Sequence, residues 1–473
     1  MRFIYIAFLS SLLIPLSHND INNLISDDML DMGLNWNNNS IDKNRYYKDT
    51  ESDRIHKNIG IIGRTGYFDM PWNKESQEIF STTIPYDNGS ITISPYIYLR
   101  ANYLRYLDFE LYIRGTNNND GMKGYSGIER DISRLGLNSA EVDISTIGIS
   151  NNSLSISYGR NRKVWGHSYN DNIILSSYSP SYESFNFSIN SKNKYRYNYF
   201  YGFLESKFDT DSQANNTRYI SGKFIEYSNS KNFIVSAGEL VTFYGEDRGI
   251  DLSYLNPISF HLELENNQRT AVSGGNTENA IWFLYLDSFL MNKFRISVEA
   301  IADEFQFDRK DREEGRGDAL GVHAHLSWYK RIRDYNLLLN LDYISIGTYT
   351  YQHQNGLTNF VTRNRLLGYS IGNDMDRFSL TAKIISNNKR LYLVYSHLRV
   401  GNNNLHNSYY QPYESFYDVE FPSEPIHSED IITARLIVLG KKYYNFMLDA
   451  QYFILEGFSN YASIRLSLNF FID

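Results

Sequence analysis

The sequence predicts an all-β fold: a single transmembrane antiparallel β-barrel of about 16–18 strands. Three observations predict it. Apolar and polar residues alternate with a period of two along most of the chain, aromatic residues are abundant (40 Tyr and 28 Phe among 473 residues), and the chain begins with an export signal. Such alternation indicates strands with one apolar face, and aromatic residues line both membrane interfaces of bacterial barrels.

The first element is a secretory signal peptide over residues 1–17, MRFIYIAFLSSLLIPLS. Arg2 supplies its positive charge, an apolar stretch runs from Phe3 to Leu16, and the small Ser17 marks the cleavage region. This stretch is too short for a spanning helix, and no stop-transfer sequence follows it. The alternative interpretation is a buried first helix of a cytosolic protein.

Residues 18–60 form the second element, a non-barrel N-terminal segment that we expect on the periplasmic side. They are rich in Asn and Asp, and a short amphipathic helix is predicted over residues 21–34, with Leu24, Met29, Leu30 and Leu34 near one face. A disordered leader is the alternative interpretation of this composition.

The barrel itself is predicted over residues 61–473. Alternation is clearest in the stretches 107–114, 154–158, 184–190, 195–203, 336–343, 445–454 and 462–470. The predicted strand segments are about ten residues long, the length with which a tilted strand crosses a bilayer. Because lipid offers no hydrogen bonds, every backbone group needs a protein partner, and a closed barrel provides one. The final residues, NFFID, add the aromatic strand on which such chains usually end.

Composition excludes several classes of protein. The net charge of −8 argues against a nucleic-acid partner, which would need a basic surface. The chain has no Cys, so it is neither a disulfide-stapled secreted domain nor a lipoprotein anchored through cysteine. The mean hydropathy of −0.45 and the lack of a long apolar run after residue 17 argue against membrane-spanning helices.

One stretch breaks the alternation, SYGRNRKVWGHSYNDNIILSS at residues 157–177. Arg160, Arg162 and Lys163 place three cations within four residues, at a barrel mouth or in a segment folded into the lumen. Guanidinium groups clamp carboxylates, and the ring of Trp165 offers a flat face, so the combination suits an acidic sugar. The alternative is a basic rim facing lipid headgroups, with Trp165 as an interfacial anchor.

Four short blocks resemble, in this order, the motif pattern of the capsule assembly Wzi family of outer-membrane proteins. They are GRNRKVWG followed by NIILSS, ELVTFYG from Glu239, YLNPISF at 254–260 and ADEFQFD at 302–308, with Gly275-Asn276 and Asp287 before the last block. The motifs cover roughly residues 150–330, and the rest of the chain resembles the family only by strand pattern. The chain departs from the family at residues 167–169, His-Ser-Tyr, where members often carry Pro or another Gly.

The resemblance implies a monomeric barrel in the outer membrane of a Gram-negative bacterium, with a helical element on the periplasmic side. Its implied partners are outer-membrane lipid and surface or capsular polysaccharide, which it binds like a lectin and helps to attach to the cell. The residues expected to bind the polysaccharide or to maintain the family fold are Arg160, Asn161, Arg162, Trp165, Gly166, Glu239, Asn256, Pro257, Asp303, Glu304 and Gln306. The alternative function is a porin or substrate-specific channel, which the same strands and a polar lumen would serve.

Several of these motifs also have a purely structural interpretation. Asn256-Pro257 fits a turn that enters a strand, because Pro has no N–H to donate. The acidic residues of the run 303–318 fit a calcium site, but the basic residues of the same run fit a solvated, self-neutralised loop instead.

Neither a metal site nor an enzyme is expected. His323 and His325 lie two residues apart on one face of a strand. A zinc site needs a third ligand that the sequence does not place, so a polar pair facing the lumen is the alternative. No catalytic triad or carboxylate pair is indicated by the residue pattern. We therefore expect a non-enzymatic protein without cofactors.

Overall fold

The computed structural model describes residues 27–32, 40–43, 56–71, 91–103, 106–117, 119, 124–151, 153–191, 194–209, 214–229, 231–246, 248–267, 269, 277–304, 318–412, 420–439, 444–455 and 460–472. Within strands, only the backbone is described for residues 56–71, 91–92, 102–103, 208–209, 214, 304, 444–445 and 461–472. The predicted signal peptide lies outside the described residues.

Eighteen long strands form one antiparallel sheet. They are β1 (His56–Pro71), β2 (Ile91–Tyr103), β3 (Leu107–Thr116), β4 (Ser139–Ser150), β5 (Leu154–Asn161), β6 (Tyr182–Ser191), β7 (Tyr195–Asp209), β8 (Ala214–Ser228), β9 (Phe233–Glu246), β10 (Glu278–Leu290), β11 (Phe294–Glu304), β12 (Ala319–Ile332), β13 (Tyr335–Ile346), β16 (Met375–Ile385), β17 (Lys389–Val400), β18 (His427–Leu439), β19 (Tyr444–Leu455) and β20 (Tyr461–Ile472). A separate small hairpin consists of β14 (Val361–Thr362) and β15 (Arg365–Leu366).

The sheet has no unpaired edge among these eighteen strands. Each pairs with the strand before and after it, β13 pairs with β16, and β1 pairs with both β2 and β20. Ile59, for example, lies opposite Ile97 on β2 and opposite Ile472 on β20. The predicted all-β barrel of about 16–18 strands is therefore confirmed, and its first strand begins at His56 rather than at residue 61.

The two faces of the barrel wall are inverted relative to a soluble protein. On β13 the side chains of Leu339, Leu341 and Tyr343 are about two-fifths exposed, whereas Leu338 and Asn340 are buried. The same pattern recurs on most of the strands whose side chains are described, so mainly apolar residues cover the outside there and many charged residues lie inside. This is the arrangement that a strand crossing a lipid bilayer requires.

The two ends of the barrel differ in the length of their connections. One end has short turns, such as those at 151–153, 291–293 and 333–334, and the other has long connections at 117–138, 162–181, 247–277, 347–374 and 401–426. Bacterial barrels place short turns in the periplasm and long loops outside the cell. We assign the ends accordingly, so β1 begins at the periplasmic end.

The helical elements are few and short. Residues 27–31 form α1, within the helix predicted over 21–34. Leu252–Leu255 and His261–Asn266 form α2 and α3 in the connection between β9 and β10. In the part of the chain that is described, no helix is long and apolar enough to cross a membrane.

Candidate functional site

The connection between β5 and β6, residues 162–181, folds into the barrel, and we call it the plug segment. Arg162 ties its start to the wall through an ion pair with Asp143 on β4, and it donates a 3.0 Å hydrogen bond to the carbonyl of Ser177 within the plug segment. Lys163 is buried with its ammonium group 5.8 Å from the centre of the Phe200 ring. This stretch therefore lies in the lumen, which is one of the two positions that the sequence predicted.

Trp165 is fully buried at the centre of the plug segment. Its ring makes edge contacts with the rings of Phe200 and Phe224, at centroid distances of 5.2 and 4.9 Å. No face of the indole is open for a sugar, and the residue is not at a membrane interface. The sequence predicted that Trp165 stacks on a sugar or anchors the barrel at a membrane interface. Both predictions are wrong, because packing the indole into the apolar core of the lumen is more favourable than exposing it at the mouth.

Gly166 follows with a backbone that favours glycine. Its φ is +150°, and an added Cβ would lie 2.4 Å from the side chain of Asn172. The neighbouring Asn161 accepts a 2.8 Å hydrogen bond from the backbone N–H of Arg162. Both motif residues therefore shape the entry of the plug segment into the lumen.

Two further connections fill the lumen beside the plug segment. Tyr351 donates a hydrogen bond to the carbonyl of Ile173 and stacks on Phe360 at 5.5 Å, and the N–H of Ser176 donates to Leu367 at 2.9 Å. One hydrophobic cluster joins these connections to the inner wall. Its members from the connections are Trp165, Ile173, Ile174, Leu175, Tyr351, Phe360, Val361, Leu366, Leu367, Tyr369, Ile371 and Leu405. A packed core rather than an open channel occupies this part of the barrel.

Helix α1 enters the same lumen and is held there by its carboxylates. Asp31 contacts Arg295 at 2.9 Å, His325 at 3.1 Å and Lys383 at 3.2 Å, and it accepts a 2.8 Å hydrogen bond from Asn340. Burial alone would raise the pKa of Asp31, but Lys383, His325 and Arg295 together hold that pKa well below its ordinary value.

Asp28 and Asp27 extend this network. Asp28 contacts Lys383 at 3.1 Å and Arg390 at 3.3 Å on the barrel wall. Asp27 accepts hydrogen bonds from the plug segment, among them the N–H of Tyr169 at 2.9 Å. Helix α1 therefore bridges the wall and the plug segment.

At the extracellular end, two guanidinium groups meet at one hydroxyl. Arg160 is the second-to-last residue of β5, and Arg363 lies at the tip of the β14–β15 hairpin. Both side chains donate to the Ser126 hydroxyl, at 3.1 and 3.4 Å. That hydroxyl in turn donates to Glu141 at 2.8 Å. Among the ion pairs of the described residues, neither Arg160 nor Arg363 takes part, and Arg363 is exposed. Both are placed to bind an anion.

Glu205 positions the hairpin that carries Arg363. It accepts a 3.0 Å hydrogen bond from the Arg363 N–H and a 2.6 Å hydrogen bond from the Tyr410 hydroxyl, and it forms an ion pair with Arg218. The ammonium group of Lys207 lies 3.9 Å from the centre of the Tyr410 ring. We call Arg160, Arg363, Arg218, Lys207 and Tyr410 the cationic mouth.

Two histidines of the long connections, His353 and His406, are buried as neutral rings at neutral pH. Burial lowers the pKa of His353 to about 4. Burial likewise lowers the pKa of His406 to about 4, although a hydrogen bond to the Ser370 carbonyl acts in the opposite direction. The positive charge of the cationic mouth therefore comes from Arg and Lys side chains rather than from these two histidines.

The second and third motif blocks meet on the outside of the wall rather than in the lumen. Residues 248–267 fold over the outward side chains of β7–β10, and we call them the outer flap. Glu239 forms a 2.8 Å ion pair with Lys223 and accepts the N–H of His261 at 3.1 Å. Burial and nearby Lys223 lower the pKa of His261 to about 4.

Asn256 and Pro257 lie within the outer flap. Asn256 caps the C-terminus of α2, and the carbonyl of Pro257 accepts a hydrogen bond from Tyr197. The turn therefore joins two short helices, and the expectation of a turn that enters a strand is wrong, because the next strand begins only at Glu278.

The fourth motif block is separate from both groups. Asp303 is buried at the end of β11 and accepts the N–H of Tyr351, so it helps to hold a lumen connection. Glu304 belongs to the same strand, but its side chain is not described, and Gln306 lies outside the described residues. Most of the run 303–318 is likewise undescribed, so its calcium interpretation stays a prediction.

The predicted site therefore separates into parts, and only Arg160 reaches the cationic mouth. Sequence reasoning missed Arg363, Glu205 and Tyr410. The stretch VTRNRL at residues 361–366 carries one signal for the hairpin, an Asn in a two-residue turn. Both turn residues, Arg363 and Asn364, have positive φ, as such turns require.

No protein-family model matches the chain, and no curated protein is similar to it in sequence. Among solved structures, the chain is similar to Wzi of Escherichia coli, a carbohydrate-binding β-barrel of the outer membrane involved in group 1 capsule assembly, with a TM-score of 0.57 and 11% identity. That match covers 87% of this chain and 84% of Wzi. The chain has the fold of an outer-membrane β-barrel.

Two other barrels match with lower scores. OccAB4 of Acinetobacter baumannii has a TM-score of 0.47 and 7% identity, over 90% of this chain and 99% of that one. OprB of Pseudomonas putida has a TM-score of 0.39 and 10% identity, over 88% of this chain and 94% of that one. Together with the inverted faces of the wall, the barrel fold shared with Wzi places the chain in the bacterial outer membrane.

Proposed function

We propose that this barrel binds an acidic surface or capsular polysaccharide at the cationic mouth and assists its attachment to the cell, without catalysing a reaction. The single observation that carries the proposal is the meeting of Arg160 and Arg363 at Ser126, on the extracellular end of a filled barrel. The carbohydrate binding of Wzi, whose fold is similar, lends support. The partners are then polysaccharide and outer-membrane lipid, and one chain forms the whole barrel.

The chemistry of the mouth fits uronate carboxylates. Each guanidinium offers a fork of donors that matches a carboxylate, and such charge-assisted hydrogen bonds are about twice as strong as neutral ones. Glu205 fixes the backbone of the hairpin tip, so little ordering of the backbone that carries Arg363 is needed on binding. Exposed charges are screened by salt, so the affinity falls as ionic strength rises.

A filled lumen argues against the channel as the main function. The plug segment, the connection 347–374 and α1 occupy the inside of the wall, and buried ion pairs tie the plug segment and α1 to it. A substrate would have to displace this core, whereas a glycan at the mouth would not. Binding is therefore the function that the geometry favours.

The test is binding of a uronate polymer, alginate, to liposomes that carry the protein, with neutral dextran as the reference polymer. The double variant Arg160→Gln/Arg363→Gln is expected to lose at least about tenfold in affinity for alginate, because two charge-assisted contacts are removed. Arg331→Gln is the matched control, since Arg331 is exposed at the periplasmic end. Equal binding of dextran and alginate, or unchanged alginate binding by the double variant, would contradict the proposal.

A further inference from the structure

Three groups that bind metals converge where the plug segment meets the wall. His167 belongs to the plug segment, Glu299 to β11 and His323 to β12, and all three are buried. Their ligand atoms lie within 4.8 Å of one another. Glu299 and His323 are directly opposite each other on neighbouring strands, so the sheet register brings them together, and the plug segment adds His167.

The distances suit a single ion between the three side chains. The Nδ1 atom of His167 lies 2.8 Å from Glu299 Oε1, and the Nδ1 atom of His323 lies 3.9 Å from the same oxygen. In a tetrahedral zinc site with bonds of about 2.0–2.1 Å, neighbouring ligand atoms are about 3.3 Å apart. The observed separations lie on both sides of that value, so small side-chain rotations would complete the site.

His323 is oriented as a ligand. Its Nε2 faces Asp342 Oδ1 at 3.4 Å, whereas its buried Nδ1 has no hydrogen-bond partner. A neutral imidazole that donates from Nε2 to Asp342 directs a lone pair from Nδ1 towards the carboxylate of Glu299. Two acceptors facing each other are stabilised only by a cation or a proton between them. A carboxylate behind the histidine is also the usual support of a metal ligand.

Glu299 lacks a permanent cationic partner. Within the described residues its ion-pair contacts are to His167 and His323 alone. Its oxygens also accept backbone N–H groups of the plug segment, from His167 at 2.9 Å and Ile173 at 3.0 Å. These dipoles do not cancel a full negative charge that is removed from water. A divalent ion would do so.

The neighbouring His325 does not belong to this site, although it also lies close to His167. Its Nδ1 contacts Asp342 at 2.7 Å and its Nε2 contacts Asp31 at 3.1 Å. With both nitrogens bonded to carboxylates, His325 acts as a cation of the lumen network. It therefore has no free lone pair for a metal.

We propose that His167, Glu299 and His323 bind one divalent transition-metal ion, with Zn²⁺ the ion that their two nitrogens and one oxygen fit best. The ligands come from the plug segment and two wall strands, so the ion links the plug to the barrel. This site lies inside the lumen and does not depend on the polysaccharide proposal. An ion bound only by the folded barrel raises its stability.

The test is to refold the full chain after chelation with either Zn²⁺ or Co²⁺, remove free metal by gel filtration and measure the bound metal by mass spectrometry. The unaltered protein is expected to retain about one equivalent of Zn²⁺, and its Co²⁺ form to show the visible absorption of a four-coordinate site. His323→Asn and Glu299→Gln are expected to lose both signals. His397→Asn, which alters a half-exposed histidine on β17, is the matched control and should keep them.

Folding of each variant is checked by its heat-modifiable mobility in gels. If a ligand variant does not fold, the unaltered protein still decides the question through its metal content and its Co²⁺ spectrum. Absence of retained metal in the unaltered protein would mean that a proton alone joins Glu299 to the histidines, and it would overturn the proposal. Equal retention by folded His323→Asn would overturn it too.

Discussion

Asp31 connects the N-terminal segment to the barrel, and its replacement offers a sharp test of the lumen network. In Asp31→Asn the side chain keeps its size but loses its charge, and its amide group faces cations. Arg295, Lys383 and His325, which lie 2.9–3.2 Å from the carboxylate, then share fewer negative charges. Asp31 is only 2% exposed, so water cannot replace the lost interaction.

The expected loss is large because the network is buried. Removing one partner of a buried ion pair costs about 3–5 kcal/mol, since the remaining charge is left uncompensated. The assay is urea unfolding of the protein refolded in liposomes, with the free energy of unfolding compared between variants. Asp430→Asn is the control, because Asp430 pairs with His397 at a half-exposed position and its loss should cost at most about 1 kcal/mol.

Equal losses in the free energy of unfolding for Asp31→Asn and Asp430→Asn would contradict a buried charge network at Asp31. A loss of less than about 1 kcal/mol in the Asp31 variant, which is the range of an exposed pair, would contradict it as well. Either result would mean that α1 does not dock in the lumen of the folded protein.

Two further predictions concern the lumen core and the mouth. Trp165→Ala should lower the free energy of unfolding by about 3–5 kcal/mol, because the indole is fully buried; Tyr106→Ala, at an exposed turn, should cost far less in the same urea assay. Stability should also fall as the pH drops from about 6.5 to about 4, because His353 and His406 take up protons in the unfolded chain over this window but not in the fold. Urea midpoints measured across this pH range give the dependence of stability on pH, and His406→Gln should make that dependence weaker. An unchanged dependence in the variant would contradict the burial of His406 as a neutral ring.

The barrel could be predicted from sequence because the wall repeats one physical rule. Every strand has a face towards lipid and a face towards the lumen, so side chains alternate in polarity, as Leu339, Asn340 and Leu341 do on β13. Closure follows, since an unpaired strand edge is not tolerated in lipid. The existence and type of strands are therefore set locally, residue by residue.

The contents of the lumen could not be predicted in the same way. The plug segment has no period, and its contacts lie far away in sequence, as between His167 and Glu299 or Trp165 and Phe283. Trp165 illustrates the difficulty, because a tryptophan among cations fits a sugar site, an interface or a core equally well by composition. Only the fold shows that Arg162 pairs with Asp143 on the wall while the indole packs inside.

The candidate site was predicted in part for a similar reason. Arg160 was identified from its motif, but its partner Arg363 comes from a hairpin more than 200 residues later, and Ser126 from a third connection. His323 was identified as one half of a histidine pair, whereas its opposing residue Glu299 follows only from the strand register. Pairing across strands is information that a single sequence does not carry.

The central claim is that a filled lumen makes this barrel a binding protein rather than a channel. Single-channel conductance of the refolded protein in planar bilayers tests it most directly, with alginate then added to the side that the long loops face. The account predicts near-silent bilayers with and without alginate, while alginate still binds to the same protein in liposomes. A large, steady conductance that alginate leaves unchanged would contradict the account and identify an open pore.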